Sequence, residues 1–361
     1  MNTNGFSAFD QAFAAAEQKK IEESTRKTPI YLIVGLDFGT AFTKCMVRDF
    51  NYRRATPVTF GHNSESASLI PSKLGWHAGR LVHPLDGIED AAITLSFIKM
   101  ALASAAAGTV SDWLDGVVRP LGVDNPKRQL EAVQALVIFY IERILREVHE
   151  WIQGRWEDFG QVVGDTVYYN MAVPVAQASD ATIIDAFQEC LNAAVSLLRS
   201  GTKPHASLPD CIDLVGRHKI QQIDECALIP EVTANVQSYI RSRGGRHGLY
   251  LFADVGAGTV DFSVFIFYDD HGDKALTYPH AAVEHLGSSQ LEFRSFHSLQ
   301  TNLMEKLRLV KEGASGNGSG KWEVNLPVAL DYTRNKMKGE ITEVTLRVIG
   351  HTIRKVRRRQ F

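Results

Sequence analysis

At 361 residues, with 45% hydrophobic and 22% charged residues, the chain can bury the cores of two domains, which excludes a disordered chain. A formal net charge of −2 gives no overall attraction to nucleic acid or to an anionic membrane, and no apolar run reaches the ~18 residues of a membrane span. The N-terminus does not follow a secretory pattern, and Cys45, Cys190, Cys211 and Cys226 are scattered; the expectation is a reducing cytoplasm with neither a disulfide framework nor a zinc site.

Residues 1–28 read as a peripheral leader, with Phe6, Phe9, Phe13 and Ala16 at helical spacing ahead of charged residues. Pro29 opens the body. Tyr31–Leu36 and Cys45–Asp49 predict strands, Thr59–Leu69 a polar loop, and Ile70-Pro71-Ser72 a further break. From Ile88 to Gly154 helical patterning dominates. Ile93–Ala107 predicts one helix. Gln129–Ile152 predicts a second, with Leu130, Val133, Leu136, Val137, Tyr140, Ile144, Leu145 and Val148 on one side and Pro126 just upstream. Residues of about 61–160 thus read as a helical insertion hung on a sheet domain.

Thr166–Pro174 returns to strand character and Asp180–Leu198 to helix, an α/β unit. Leu214–Gln222 predicts a short strand, and Ile229–Ser242 a helix ended by Gly244-Gly245. Leu249–Tyr268 predicts a hairpin. Beyond it the pattern predicts a helix from about Gln290 to Lys311, a flexible loop at Gly313–Gly320, a short strand at Leu326–Leu330 and a basic helix over Gly339–Phe361 with a solvated charged face.

Two of these stretches carry chemistry. In Tyr31–Asp49 an apolar run meets Asp37-Phe38-Gly39-Thr40 before a second apolar run. In Leu251–Phe265 the same arrangement surrounds Asp254-Val255-Gly256-Ala257-Gly258-Thr259-Val260-Asp261. Small turn residues let a backbone approach a phosphate closely, and the neighbouring carboxylate suits a metal ion. Two such hairpins, some two hundred residues apart, predict two similar lobes facing one ligand. Read singly, Asp37 and Asp254 are also ordinary turn aspartates.

In this order the motifs resemble the actin-like ATPase superfamily: the actins, the 70-kDa heat-shock chaperones and the sugar kinases. The chaperone branch is the better match. Asp37–Thr40 resembles its first phosphate motif and Asp254–Asp261 its second. Met171-Ala172-Val173-Pro174 resembles the strand ending in Val-Pro before a helix. Glu231-Val232-Thr233-Ala234 is similar to a Glu-Pro-Thr-Ala helix start, and His285-Leu286-Gly287 to a His-Leu-Gly-Gly turn. The resemblance spans about Tyr31 to Phe293. It implies an α/β, two-lobed, ribonuclease H-like fold, with lobe I over 29–245 and lobe II over 246–361, the latter helical over about 290–361.

It also implies ATP or ADP with Mg²⁺ as ligands, nucleotide-driven lobe closure, and a possible protein client, with no nucleic-acid or membrane partner. Asp37 and Asp254 would hold the Mg²⁺ largely through water. Gly39, Thr40, Gly256, Ala257, Gly258 and Thr259 would line the phosphates, Lys44 would contact them, and Gly287 would lie near the nucleotide. Glu231 would position the attacking water, and Lys99 would reach the cleft from the insertion. The plainer readings are a macrodipole-stabilised helix start for Glu231, a solvated strand end for Lys44, a surface lysine for Lys99 and a turn glycine for Gly287.

The sequence departs from the chaperones at Ala41, where a second Thr or Ser is usual, and at Ala257, in place of a glycine. No Gly-Gly turn for an adenosine follows Gly287, so the expectation is an incomplete second lobe. The alternatives are a filament-forming actin relative and a degenerate scaffold that binds a partner without nucleotide.

Overall fold

A computed structural model of the chain describes residues 28–52, 54–60, 68–88, 91–173, 180–204, 206–218, 222–242, 244–256, 259–271 and 273–284. The predicted leader helix and the elements predicted beyond Glu284 lie outside the described residues. Two compact units are present: Met1–Val173 with Ala181–Ile229, and Pro174–Asp180 with Pro230–Phe361.

The first unit begins with β1 (Tyr31–Phe38), which buries Leu32, Val34, Leu36 and Phe38, the period-two pattern of a strand covered on one face. It pairs antiparallel with β2 (Phe42–Asp49), which buries Thr43, Cys45, Val47 and Asp49. β3 (Arg54–Pro57) and the short β4 (Ile70–Pro71) both pair with β2. A separate antiparallel sheet of β5 (Lys73–His77), β6 (Arg80–Val82) and β7 (Ile93–Ser96) follows in the order β6-β5-β7. Then come the helices α1 (Ile98–Ala106), α2 (Asp112–Val118) and α3 (Pro126–Gln153).

β8 (Thr166–Val173) returns to the first sheet, parallel to β1. After α4 (Ala181–Arg199) and α5 (Leu208–His218), β9 (Cys226–Pro230) completes the sheet order β3-β2-β1-β8-β9. The fold is therefore mixed α/β, with a mixed sheet and helices.

Three local expectations are corrected. The helix predicted over Ile93–Ala107 begins only at Ile98, because Ile93–Ser96 pairs with β5 as a strand. The predicted helical insertion contains a three-stranded sheet. Of the strand predicted over Leu214–Gln222, the part up to His218 is instead the end of α5, whose buried Leu208, Cys211 and Val215 recur at helical spacing.

α3 is the pillar of this unit. The Asn125 side chain accepts hydrogen bonds from the amides of Lys127 and Arg128, and Pro126 occupies the first turn. The predicted one-sided stripe understates its burial. Every residue from Ala132 to Glu142 is buried, against α1, α4 and α5. Each fully buried Leu, Ile or Val contributes about 1.5–3 kcal/mol, so this segment is a main source of the unit's stability. Among the described residues α4 is long and apolar enough to cross a membrane, but it packs against α3 and α5 with Cys190–Leu197 buried.

In the second unit α6 (Glu231–Arg241) precedes a sheet of β10 (Gly248–Val255), β11 (Val260–Asp270) and β12 (Asp273–Glu284), in that order. Val232, Val236 and Ile240 of α6 pack on Phe265 and Phe267, with Tyr250, Phe252, Leu276 and Tyr278 around them. β12 was not legible in the sequence. It contains Pro279 beside a register shift opposite Phe265, the bulge that lets proline lie in an edge strand.

A buried histidine, His83, and a half-buried one, His149, make the first unit acid-sensitive. Burial, reinforced by Arg199 and Arg146, pushes His149 down to about 4. Burial, opposed by Asp86 and aided by Arg143, pushes His83 down to about 3. Unfolded imidazoles titrate near ~6.5, so below that pH the unfolded chain binds protons that the folded one excludes. Stability should therefore fall as pH drops from about 6.5 toward 4, by up to about 3 kcal/mol for His149. Urea midpoints across that range should show it, and His149→Gln should flatten the slope.

The Tyr140 hydroxyl donates to the Pro71 carbonyl at 3.1 Å from within α3. Tyr140→Phe should leave that carbonyl without this donor and cost about 1–2 kcal/mol, with an unchanged urea m-value.

Candidate functional site

The two aspartate hairpins have the same register. Asp37 pairs with Lys44 and Phe38 with Thr43; Asp254 pairs with Asp261 and Val255 with Val260. In each, a four-residue turn separates the last pair and opens on a glycine, and the aspartate is the penultimate residue of the first strand. The Gly39 amide donates to the Asp37 carbonyl at 3.0 Å, and the Gly256 amide to the Thr259 carbonyl at 2.9 Å.

Close approach requires a glycine at Gly39 and constrains the position of Gly256. A Cβ on Gly39 would lie 2.4 Å from the carbonyl oxygen of Phe42, three residues on. A Cβ on Gly256 would lie 3.3 Å from that of Thr259, also three residues on. Both turns thus fold their return strand over the glycine at the same point.

The first turn is braced by its own unit. The Ser72 amide donates to the Ala41 carbonyl at 2.8 Å, and the Thr43 and Ser72 hydroxyls meet at 2.8 Å. Lys44 Nζ stands 3.1 Å from the Asp37 carboxylate. Both groups are about half exposed, so the pair stabilises the hairpin by no more than ~1 kcal/mol. Lys44 is therefore more than a solvated strand end: it stands over the candidate metal carboxylate. Lys99 is buried in the first turn of α1, which excludes the surface-lysine reading.

The second turn is braced by α6. Asn235 Nδ2 donates to Asp254 Oδ2 at 3.2 Å. Asn235 lies one helical turn after Glu231, so the two share a face of α6, and Glu231 begins the helix on the face that reaches Asp254. Thr259 is buried, and its hydroxyl donates to Asp261 Oδ2 at 2.9 Å. Two carboxylates directly opposite each other in a hairpin repel by a few tenths to about 1 kcal/mol, which a nearby cation relieves.

The structure thus places Asp37, Gly39, Thr40 and Lys44 on one hairpin, and Glu231, Asp254, Gly256 and Thr259 around the other. Ala257, Gly258 and Gly287 lie outside the described residues. Asn235 was missed by the sequence reading; its signal was the i+4 spacing from Glu231. Among the described residues no group of three or more His, Cys, Asp or Glu side chains is placed to hold a metal ion. The first hairpin offers one carboxylate, Asp37, and the second offers two, Asp254 and Asp261. No protein-family model matches this chain, and no curated protein matches it.

The glycine geometry gives a paired test. Gly39→Ala should destabilise the protein by about 1–3 kcal/mol, because backbone must move to admit the methyl group. Gly35→Ala in the same strand, whose Cβ would stand 3.8 Å from the Met46 carbonyl, should be neutral or stabilising by up to about 1 kcal/mol. Urea unfolding of the two variants separates a turn constraint from a general intolerance of alanine.

Proposed function

We propose that this protein binds ATP with Mg²⁺ between two lobes of an actin-like, ribonuclease H-like fold and hydrolyses it, as a chaperone-like ATPase whose lobes close on nucleotide. The observation that carries this reading is the repeated hairpin: the same register, the same four-residue turn opening on glycine, and an aspartate at the same position in each. The parallel pairing of β1 with β8, and the helix α4 that follows β8, agree with the expected strand–helix unit of the first lobe.

The residues fit such a ligand. The turn at Gly39 leaves no room for a side chain and the turn at Gly256 is tight, as a phosphate cradle needs. Facing carboxylates at Asp254 and Asp261 favour a cation. Mg²⁺ retains most of its waters, so few protein ligands are needed. When bound, such an ion, held by Asp37 and Asp254, would supply positive charge to offset that of the phosphates.

The chain's own residues then have distinct tasks. Asp37 and Asp254 accept hydrogen bonds from the ion's waters and fix its position. Amides of the two turns, with the Thr40 and Thr259 hydroxyls, orient the phosphates. Thr259 must turn from Asp261 to do so. Lys44 exchanges Asp37 for a phosphate oxygen. Asn235 keeps the Asp254 carboxylate in one rotamer. Glu231, at the start of α6, orients a water for in-line attack and accepts its proton.

Calorimetric titration of MgATP tests the reading. The parent protein should bind saturably. Asp37→Ala and Asp254→Ala should each weaken binding at least about tenfold, the loss of one charge-assisted contact. Glu231→Gln should keep binding and lower hydrolysis by about 10²-fold or more. Absence of saturable MgATP binding by the parent protein rejects the proposal.

A further inference from the structure

A cavity of about 360 Å³ opens in the first unit at the end of β2 remote from the Gly39 turn, where β3 meets the residues that follow α3. It is lined by Asp49, Tyr52, Arg54, Thr56, Arg155 and Trp156, and its volume is in the range of small-molecule sites. Asp49 is the one acid of this lining, and its oxygens are already committed. It is buried; Oδ1 accepts from the amides of Asn51 at 2.9 Å and Tyr52 at 3.1 Å, and Oδ2 accepts from the Trp156 indole at 3.3 Å.

Two guanidinium groups remain. Arg54 stands directly opposite Asp49 in the β2–β3 ladder, the position from which a cross-strand ion pair would form. None is made; uncharged donors hold both carboxylate oxygens instead. Arg155 follows the end of α3, and its guanidinium lies 5.1 Å over the Trp151 ring. Stacking orders that planar group while its N–H donors, which lie in the plane, stay available. Both arginines are exposed, and among the described residues neither is within ion-pair distance of a carboxylate. The lining therefore carries two positive charges against one negative charge whose acceptors are taken. Beside them Tyr52 is 82% exposed, so its ring is open to a ligand.

We propose that this cavity binds the oxyanion of a small ring-bearing molecule, an aryl carboxylate or aryl phosphate, with Arg54 and Arg155 on the oxyanion and Tyr52 against the ring. A guanidinium carries N–H donors and no acceptor, so the group it receives is acceptor-only and anionic, and a planar fork suits a carboxylate or a phosphate. Asp49 shapes the wall, by fixing the Tyr52 backbone and the Trp156 indole, and does not compete for the arginines. The site is independent of the nucleotide reading, since none of these residues belongs to the turn of either aspartate hairpin.

The test uses the full chain at constant ionic strength, with phenyl phosphate and benzoate as separate probes. Each titration is followed calorimetrically and by the Trp156 indole N–H resonance, assigned with Trp156→Phe. At least one probe should bind saturably and shift that resonance; whichever binds more tightly identifies the preferred oxyanion. Arg54→Gln and Arg155→Gln, both at exposed positions, should each weaken binding about tenfold, and Tyr52→Ala about fivefold. The proposal is overturned if neither probe binds, if binding leaves the Trp156 resonance unmoved, or if both arginine variants bind like the parent. Parent-like binding by Tyr52→Ala overturns the aryl class of ligand.

Discussion

The side chain of Tyr140 joins the parts of the first unit that matter for its candidate site. It is fully buried in α3. Its ring lies 5.6 Å from Phe38, the last residue of β1, and 5.0 Å from His83. Its hydroxyl reaches the Pro71 carbonyl, and Pro71 and Ile70 pair with Phe42 and Thr43 as the chain leaves the turn. One residue therefore fixes the end of the first strand, the start of the second and the strap beside them. A turn that presents backbone amides to a ligand is useful only when those amides cannot drift, and loss of 1 Å of positioning is costly. The burial of α3 on all sides thus supplies rigidity to a turn that has little core of its own.

The second hairpin reaches the same geometry by a different route. Its brace is α6, a helix of three turns whose Val232, Val236 and Ile240 sit on an aromatic layer. The polar contact is made by Asn235 on Asp254. The charges also differ. Opposite Asp37 stands Lys44, so the first hairpin neutralises its own carboxylate; opposite Asp254 stands Asp261. Under the proposed function the two jaws are unequal: the second has the greater demand for a cation, and the first must release Lys44 before its carboxylate is free. That ordering follows from cross-strand register alone.

What was legible in the sequence follows from signal strength. Both hairpins, α3, β8 and α4 were readable because their periods are long and unbroken, and because Asp-x-Gly turns punctuate the apolar runs. The carboxylates and turn glycines of the candidate site were readable for the same reason. β5–β7 were hidden because strands of three to five residues carry too few alternations, and Ile93–Ser96 abuts a helix of similar composition. The end of α5 has strand-like composition from Leu214 on, and its helical period is set by Leu208 and Cys211 upstream. β12 was obscured by Pro279. Asn235 was invisible for another reason: its role comes from a contact with Asp254, which leaves no pattern in the chain.

The second half of α3 raises a question that stability does not answer. Glu142 and Arg146 form an ion pair whose acid is almost wholly buried, and burial raises the Glu142 carboxyl despite the neighbouring Arg146. Such a pair is commonly no better than two apolar side chains of the same volume, because desolvation offsets the attraction. The same helix buries apolar residues continuously one turn earlier, so the fold had an apolar solution at hand. Retaining the pair holds Arg146 where it also donates to the Thr202 carbonyl, which ties α3 to the segment that follows α4. The polar stripe of α3 therefore serves to fix the helix against its neighbours more than to add core stability, and the same helix carries Tyr140, the hairpin's brace.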